Sequence, residues 1–502
     1  MTDQAPAPVA VIDIGSNSAR VVVYEAEASG HLRIRASTRA ALRLVRDVDA
    51  QHRLSEDAMA RAMEALRDFR AIALGAGAAR VVAVATAAMR DADNGALFLE
   101  RVRRELGIEV ELIDGEREAR YGFIGAVRGL PVDDGLAFDM GGGSMQVSRF
   151  RGRALERDWS LPLGSLRLSQ TFLENDPAKA GEVRKLKAHV RALLQDAHIP
   201  TLKPGETLVG TGGTVRNLAK IDRRGRGYPI TRLHGYTVTR RHLHEVVSRV
   251  AETPLRKRDS IPGLSDERGD SIVGGALGIE TLVETVEAAA ILVSGQGVRE
   301  GIAYSLMAPT VPDGPTVRCE SIAALTARFS AWDGDVAARR ESVAGQLAAG
   351  LLSAEPAELA ESVGHAARVL DIGRSVDFFD RYQHAADIVL ATELDGFSHR
   401  EMALLSAILR TARDEDADLR ALSPILKGEE RGAIERAALV LAVADDIEER
   451  CPRGAAIELR CTVTREEIRL DVPALAGWRP RGLDDRCART FGRRLVVLAG
   501  GV

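Results

Sequence analysis

Two widely separated stretches of the chain end an apolar run with an aspartate and follow it with a turn rich in glycine and serine. The first reads VAVIDIGSNSARVVVY from Val9 to Tyr24, and the second reads GLAFDMGGGSMQVSRF from Gly135 to Phe150. The aspartates are Asp13 and Asp139. Successive backbone N–H groups in such turns bind anions, and carboxylate oxygens are ligands that Mg²⁺ prefers. The repeat therefore indicates two related domains that face each other across a cleft and share a phosphate and a divalent metal ion.

Glycine-rich turns recur at predicted strand ends, also as GTGGT from Gly210 to Thr214 and as SGQG from Ser294 to Gly297. Glycine lets the backbone approach a ligand closely, and a turn that opens a helix adds partial positive charge. One such turn is weak evidence, but a duplicated arrangement favours phosphate binding, and the missing GxxxxGK[ST] motif excludes a P-loop enzyme. The predicted phosphate-binding residues are Ser16, Asn17, Ser18, Gly141, Gly142, Gly143, Ser144, Gly212, Gly213 and Thr214.

The charged residues near these turns have two interpretations each. Asp13 and Asp139 cap their own turns or hold Mg²⁺, and we favour the metal role for Asp139. Glu118 lies in the first turn of the helix predicted after strand IEVELID, where any glutamate, Glu116 included, complements the helix dipole. Arg90 ends the predicted strand RVVAVATAAMR and is either a solvated charge or a bidentate phosphate ligand in the cleft.

Composition excludes several classes of protein. A chain of 502 residues with 45% hydrophobic and 28% charged residues predicts a soluble globular protein of three or four domains. A net charge of −4 and an aromatic content of 4% argue against a nucleic-acid partner. The four cysteines lack CxxC spacing, and we read neither a signal peptide at the N-terminus nor an apolar run of the roughly 20 residues that span a membrane. A cytoplasmic protein is predicted.

The order of predicted elements is typical of α/β architecture. A hairpin is followed by a helix from Ser55 to Ala73, a strand, a helix from Asn94 to Leu106, another strand and a helix that opens at Gly115, and then the pattern restarts. The segment Pro309 to Thr316 is predicted to be a linker. Beyond it, helices are expected to about residue 425, and IELRCTVTREEIRLDV predicts a final β-hairpin.

Three basic clusters occur downstream of the GTGGT turn. Such runs are usually solvated surface, but they would steer a polyanion if they lined the approach to the cleft. The clusters are Arg223, Arg224 and Arg226, then Arg240 and Arg241, and then Arg256, Lys257 and Arg258.

Together these motifs resemble those of the exopolyphosphatase/guanosine pentaphosphate phosphohydrolase family, within the actin-like and sugar-kinase superfamily. The matching motifs are DIGSNSARVVVY, ATAAMRDADN, DGEREARYGFIGAV, FDMGGGSMQV, LPLGSLRL, GTGGTVRNLA and SGQGVREGIAY. The resemblance implies an α/β fold in which two duplicated actin-like (ribonuclease H-like) domains, residues 1–126 and 127–310, surround a cleft. It also implies an α-helical HD-like domain at 317–425 and a small α+β domain at 426–502.

The resemblance assigns roles that the residues alone leave open. Glu118 would activate water for attack on a terminal phosphate, Arg90 would contact the substrate, and Asp139, helped by Asp13, would hold Mg²⁺ or Mn²⁺. Gln146 stands where relatives commonly carry glutamate, so its amide would replace a charged metal ligand. The long members of the family also imply a homodimer.

The HD-like segment departs from true HD enzymes. Leu370 replaces the metal-binding histidine before Asp371. We therefore expect no second phosphohydrolase site there, and we expect His365 and His384 to be packing or surface residues.

The leading predicted function is removal of terminal orthophosphate from inorganic polyphosphate. The alternative is hydrolysis of the 5′-terminal phosphate of guanosine pentaphosphate by the same residues. A sugar or acetate kinase and a non-catalytic sensor of guanosine penta- or tetraphosphate are the remaining alternatives.

Overall fold

The structure is a computed structural model that describes residues 7–27, 29–44, 48, 52–308, 311–475, 478, 480 and 482–498. Residues 309 and 310 of the predicted linker lie outside these ranges. So does most of the N-terminal segment in which no signal peptide was read. Packing divides the chain into two units. The first comprises residues 1–227 and 232–320, and the second comprises residues 228–231 and 321–502.

The first unit contains a five-stranded sheet near its N-terminus. Its strands are β1 (Val9–Ile14), β2 (Ser18–Ala26), β3 (Leu32–Ala41), β4 (Arg80–Ala85) and β5 (Val110–Leu112). Their order is β3-β2-β1-β4-β5, with β1, β2 and β3 antiparallel and β4 and β5 parallel to β1.

A second sheet in the same unit repeats this arrangement. Its strands are β6 (Gly135–Met140), β7 (Met145–Arg151), β8 (Ala154–Leu161), β9 (Thr207–Thr211), β10 (Tyr236–Thr239) and β11 (Ala290–Val293). Strands β6, β7 and β8 are antiparallel, β9 and β11 run parallel to β6, and β10 adds an antiparallel edge. The predicted duplication of an α/β unit is therefore confirmed.

Helices pack against both sheets. Those of the first unit are α1 (Glu56–Gly75), α2 (Ala87–Asp91), α3 (Gly95–Leu106), α4 (Gly115–Arg128), α5 (Ser165–Phe172), α6 (Ala180–Asp196), α7 (Gly212–Gly225), α8 (Arg240–Glu252), α9 (Leu255–Arg258), a 3₁₀ turn (Asp266–Arg268), α10 (Ile272–Thr285) and α11 (Val298–Met307). Helix α12 (Gly314–Thr326) spans the division at residue 320.

The predicted helix starts agree closely with these bounds. The Ser55 side chain accepts a hydrogen bond from the Ala58 amide, as expected of an N-cap, and Asn94 directly precedes α3. Two predictions were wrong. The strand expected to reach Arg90 ends at Ala85, because Thr86 is the N-cap of the short helix α2. The predicted linker already becomes helical at Gly314.

The second unit is mainly helical and has a small sheet. Its elements are α13 (Gly334–Leu351), α14 (Ala357–Val369), a 3₁₀ helix (Leu370–Ser375), α15 (Arg381–Ala391), α16 (His399–Arg413), 3₁₀ turns (Arg420–Leu422, Gly428–Glu430 and Pro473–Leu475), α17 (Arg431–Arg450), α18 (Leu483–Phe491), β12 (Arg460–Val463), β13 (Glu467–Asp471) and β14 (Arg494–Leu498). The predicted hairpin is confirmed as antiparallel β12 and β13, and β14 runs parallel to β13.

One buried apolar cluster runs through this unit from Ile322 to Cys487 and includes side chains of α17 and β13. The helical segment and the C-terminal segment thus share a core. The division predicted at residue 425 stays a prediction, as does the HD-like character of the helices.

Ion pairs surround Asp371, the aspartate that the sequence analysis compared with the metal-binding motif of HD enzymes. The carboxylate of Asp371 accepts hydrogen bonds from Arg340 and Arg381, each at 2.7 Å, and Arg381 also donates to Asp445 at 2.6 Å. Burial alone would raise the pKa of Asp371, but Arg340 and Arg381 outweigh it and hold that pKa below its ordinary value. His365 packs edge-on against Phe397.

None of the helices within the described ranges combines the length and the apolar composition needed to cross a membrane.

Candidate active site

The two copies of the Asp-Gly-Ser turn have the same internal geometry. The Gly15 amide donates to the Ser18 carbonyl at 3.1 Å, and the Gly141 amide donates to the Ser144 carbonyl at 3.0 Å. The residue paired across the hairpin with the aspartate differs: Asp13 lies opposite Arg20, whereas Asp139 lies opposite Gln146. The predicted repeat is therefore real, and the copies differ in the charge beside each aspartate.

These turns face each other. A β-carbon added at Gly142 would lie 3.4 Å from Asn17 Cβ and 3.5 Å from Ser16 Cβ. Helix α5 fixes the second turn, because the Ser165 amide donates to the Gly141 carbonyl at 2.9 Å. The two turns therefore lie within van der Waals reach of each other.

The third turn packs directly on Asp139. Gly212 has φ +91°, and a β-carbon there would lie 2.3 Å from Asp139 Oδ1, so glycine is required for both its conformation and its size. Thr211 Oγ1 donates to the Gln296 carbonyl at 2.6 Å and ties this turn to the SGQG turn. The two later turns therefore complete the wall around Asp139.

Together the four turns surround a cavity of about 130 Å³ in the first unit. Three predicted residues, Arg90, Gly143 and Thr214, are not part of its lining. The predicted residues that line it are Asp13, Ser16, Asn17, Ser18, Glu118, Asp139, Gly141, Gly142, Ser144, Gln146, Gly212 and Gly213.

Two of the excluded residues point elsewhere. Thr214 is buried against α10, with its Cγ2 2.7 Å from the position that a β-carbon on Gly275 would take. Arg90 has an exposed side chain whose Nη1 donates to the Ile113 carbonyl at 2.9 Å. Its positive charge nevertheless acts on Glu118 and tends to lower the pKa of that residue. Burial and two nearby carboxylates have the opposite and stronger effect.

Glu118 reaches the cavity from the first turn of α4. The Asp114 side chain caps this helix by accepting from the Arg117 amide at 2.8 Å. Burial, reinforced by the negative charges of Asp139 and Asp13, raises the pKa of Glu118 to about 8. Its Oε2 is buried and has no hydrogen-bond partner among the residues that the structure describes, so it can accept a hydrogen bond from a ligand or a water molecule.

Three arginines that the sequence analysis did not single out also line the cavity: Arg216, Arg268 and Arg299. Arg216 and Arg299 each follow a valine directly after a glycine turn, in GGTVR and GQGVR, and this repeat is the signal that could have identified them. Arg268 comes from the 3₁₀ turn, and the sequence has no comparable signal there.

These arginines balance the buried carboxylates. Arg299 Nη1 donates to Asp13 at 3.1 Å. Burial raises the pKa of Asp139, although Arg216 opposes it, and burial with the nearby charge of Arg299 lowers the pKa of Arg216 to about 10. Arg268 Nη1 is buried and has no hydrogen-bond partner within the described ranges. Such buried donors favour a multiply charged anion as the ligand.

The side chains of the cavity fit a metal ion for which the protein supplies only part of the ligands. Among the residues described, no group of three or more His, Cys, Asp or Glu side chains is arranged to hold a metal ion. Mg²⁺, however, usually takes one or two carboxylates and completes its shell with water and substrate phosphates. Asp139 and Asp13, which both line the cavity, suit such a shared site. Gln146 Nε2 donates to Ser144 Oγ at 2.8 Å, which ties its amide to the second turn.

Comparison with known proteins assigns the chain to a family. Residues 21–309 match the Ppx/GppA phosphatase family, and residues 317–479 match domain III of Ppx/GppA phosphatases. Exopolyphosphatase 1 of Mycobacterium tuberculosis (strain ATCC 25618 / H37Rv) is 31% identical over 296 residues, which cover 58% of this chain and 86% of the relative.

Solved structures agree with this assignment. The crystal structure of the Aquifex aeolicus member of the Ppx/GppA protein family is similar with a TM-score of 0.53 at 32% identity, over 60% of this chain and 97% of that one. An exopolyphosphatase from Cytophaga hutchinsonii has a TM-score of 0.56 at 25% identity, over 60% of this chain and 98% of that one. The duplicated sheets and the matched segments lead to one conclusion: the chain belongs to the Ppx/GppA phosphatase family.

Proposed function

We propose that the chain is an exopolyphosphatase, which hydrolyses the terminal phosphoanhydride bond of inorganic polyphosphate and releases orthophosphate. The observation that carries this proposal is the cavity in which the unpartnered oxygen of Glu118 shares its surroundings with three arginines and four glycine turns. The relatives named exopolyphosphatase support the choice of substrate.

In this proposal the terminal phosphate occupies the space between the two facing turns. Its oxygens accept hydrogen bonds from backbone N–H groups of those turns and from Arg216 and Arg268. Phosphoryl transfer depends mainly on positioning and on neutralising charge. Buried guanidinium groups supply both, because their donors are fixed in a plane and water screens them weakly.

Glu118 acts as the general base. A water oxygen forms a bond to the terminal phosphorus, and Glu118 accepts the proton that this water loses. The bond between that phosphorus and the bridging oxygen breaks, and its electron pair leaves with the shortened chain. A base with a pKa near the working pH is the most effective, and the burial of Glu118 brings its pKa into that range.

Asp139, with Asp13 and Gln146, would hold Mg²⁺ or Mn²⁺ beside the phosphate. When bound, such an ion neutralises phosphate charge and so assists bond cleavage. Asp139 lies against Gly212, and Asp13 accepts a hydrogen bond from Arg299.

The test is orthophosphate release from long polyphosphate, tripolyphosphate, guanosine pentaphosphate and ATP, each with and without added Mg²⁺. We expect the highest kcat/KM for polyphosphate and little release after chelation of the metal. Turnover of guanosine pentaphosphate alone would replace the proposed substrate with that nucleotide. Release from none of the four would contradict the proposal.

A further inference from the structure

Helix α7 starts in the active-site cavity and leads away from it. Gly212 and Gly213, its first residues, line the cavity, as does Arg216 one turn later. The helix rises about 1.5 Å per residue, so Arg224 lies about 16 Å along the axis from Gly213. A ligand that lies on this helix and ends in the cavity would therefore be long.

The face of α7 that is not buried carries positive charge at every turn. Between Thr214 and Arg224, only basic residues are left partly or fully exposed on this helix. Apart from one adjacent pair they are three or four residues apart, and they therefore lie on one side of the helix. We call them the cation stripe, and its members are Arg216, Lys220, Arg223 and Arg224.

Two members of the stripe are not neutralised by a carboxylate of any residue that the structure describes. Within the described part of the chain, Lys220 and Arg224 form no ion pair. The pKa of Lys220 is lowered, first by partial burial and then by the positive charges of Arg216, Arg39 and Arg224. Cations held together in this way repel one another, and an anionic ligand would relieve that repulsion.

The other basic clusters differ from the stripe. Arg258 is buried and donates to the Gly269 carbonyl at 2.7 Å and to Asp176 at 2.8 Å, so it has a structural role. Arg241 lies 3.7 Å from Glu245 on the same helix. Protein groups partly neutralise the charge of these clusters. The stripe also differs from them in position, because it continues from the cavity lining.

We propose that the cation stripe binds the non-terminal phosphates of a long polyphosphate chain whose end occupies the cavity, and that it gives the enzyme a preference for long chains. This inference rests on the proposed function. A linear polyphosphate repeats its negative charge along its length, as the stripe repeats its positive charge along α7. Tripolyphosphate and ATP carry their phosphates in a short group that the cavity accommodates, so they gain little from Lys220 and Arg224.

The experiment compares the double variant Lys220→Gln/Arg224→Gln with wild type on long polyphosphate and on tripolyphosphate. We expect the ratio of the two kcat/KM values to fall about tenfold, equivalent to ~1.4 kcal/mol, mainly through a higher KM for the long chain. Added salt should lower the long-chain preference of the wild type more than that of the variant. The control Arg184→Gln/Lys185→Gln also removes one arginine and one lysine charge, but from the exposed face of α6. It should leave the ratio unchanged.

An unchanged ratio, or an equal loss with the control variant, would overturn the inference. If the wild type hydrolyses neither polyphosphate, equilibrium binding of long polyphosphate decides instead. Binding weakened about tenfold by the double variant but not by its control would support the stripe although the proposed function had failed. Equal binding by both variants would overturn the stripe as well.

Discussion

Glu118 is the residue on which the proposed chemistry of this cavity depends, and its surroundings disfavour the ionised carboxylate. Its carboxyl group is buried beside two other acids, and these surroundings favour the neutral form. The same surroundings make the ionised form a stronger base than an exposed glutamate. Activity and stability therefore place opposite demands on this position.

We expect Glu118→Gln to stabilise the metal-free protein at high pH. The usual pKa of 4.5 rises to about 8 in the folded state, so the folded protein binds more protons than the unfolded chain between these values. Stability attributable to Glu118 is therefore lost as the pH rises through this range. Thermal unfolding in the presence of a chelator should show a higher Tm for the variant at pH 9 and a smaller difference towards pH 5.

The matched control for this measurement is Glu116→Gln, since Glu116 lies in the same turn with an exposed side chain. Its effect on Tm should change little with pH. A Glu118→Gln variant that is less stable than wild type at pH 9 would contradict the assigned pKa.

Asp371 accepts hydrogen bonds from two buried arginines, and we expect its role to be structural. Asp371→Asn should destabilise the protein by about 1–3 kcal/mol, because it removes one of the two carboxylates, Asp371 and Asp445, that the buried Arg340 and Arg381 share. Denaturant unfolding measures this loss, and Asp416→Asn, an exposed change in the same unit, should cost far less. Unchanged stability combined with lost metal binding would indicate a metal site instead.

Single residues were predictable only where a motif marked them. Asp13, Glu118 and Asp139 stand in motifs and lie in one cavity, as predicted. Thr214 belongs to a predicted phosphate-binding turn, but it is the third residue of α7 and the helix directs it towards α10. Arg268 could not be predicted, because only folding brings its short 3₁₀ turn to the cavity.

At the level of elements, the turn between β9 and α7 packs against Asp139, and we expect it to position that carboxylate. Gly212→Ala should reduce kcat for phosphate release at least tenfold, since a β-carbon cannot share space with Asp139 Oδ1 and φ is positive. Steady-state kinetics over a range of Mg²⁺ concentrations would measure the change. Gly225→Ala at the far end of the same helix meets no atom within 4 Å and serves as the control; equal effects of the two changes would refute this role.

Element prediction succeeded where apolar residues face a core and failed at exposed edges. Buried β1 and β6 were recognised from their apolar runs, and α1 from its spacing and its N-cap. Strand β3 was missed because it is a largely exposed edge strand rich in arginine. The end of β4 was misjudged because AAMR is apolar enough to extend a strand, yet it forms α2.

At the scale of the whole molecule, the first unit carries every residue that lines the cavity. The Aquifex aeolicus relative is matched over 97% of its length by 60% of this chain. A fragment that ends at Pro312 should therefore fold and release phosphate from tripolyphosphate. Circular dichroism and a phosphate assay test this expectation, and a folded but inactive fragment would mean that the second unit contributes to the chemistry.

The duplicated architecture could be predicted from sequence because its two copies carry similar motifs at matching strand ends. The organisation of the second unit could not, because its helices and its small sheet share one core that no motif marks. Its predicted division at residue 425 falls shortly before α17, a helix buried within that common core.

The central claim is tested most directly by orthophosphate release from polyphosphate by wild type, Glu118→Gln and Glu116→Gln under the same Mg²⁺ concentration. If Glu118 is the general base, Glu118→Gln should lower kcat by about 10²–10⁴-fold, while Glu116→Gln stays within about twofold of wild type. Polyphosphate binding should be retained in both variants. Wild-type turnover by a correctly folded Glu118→Gln protein would contradict the account.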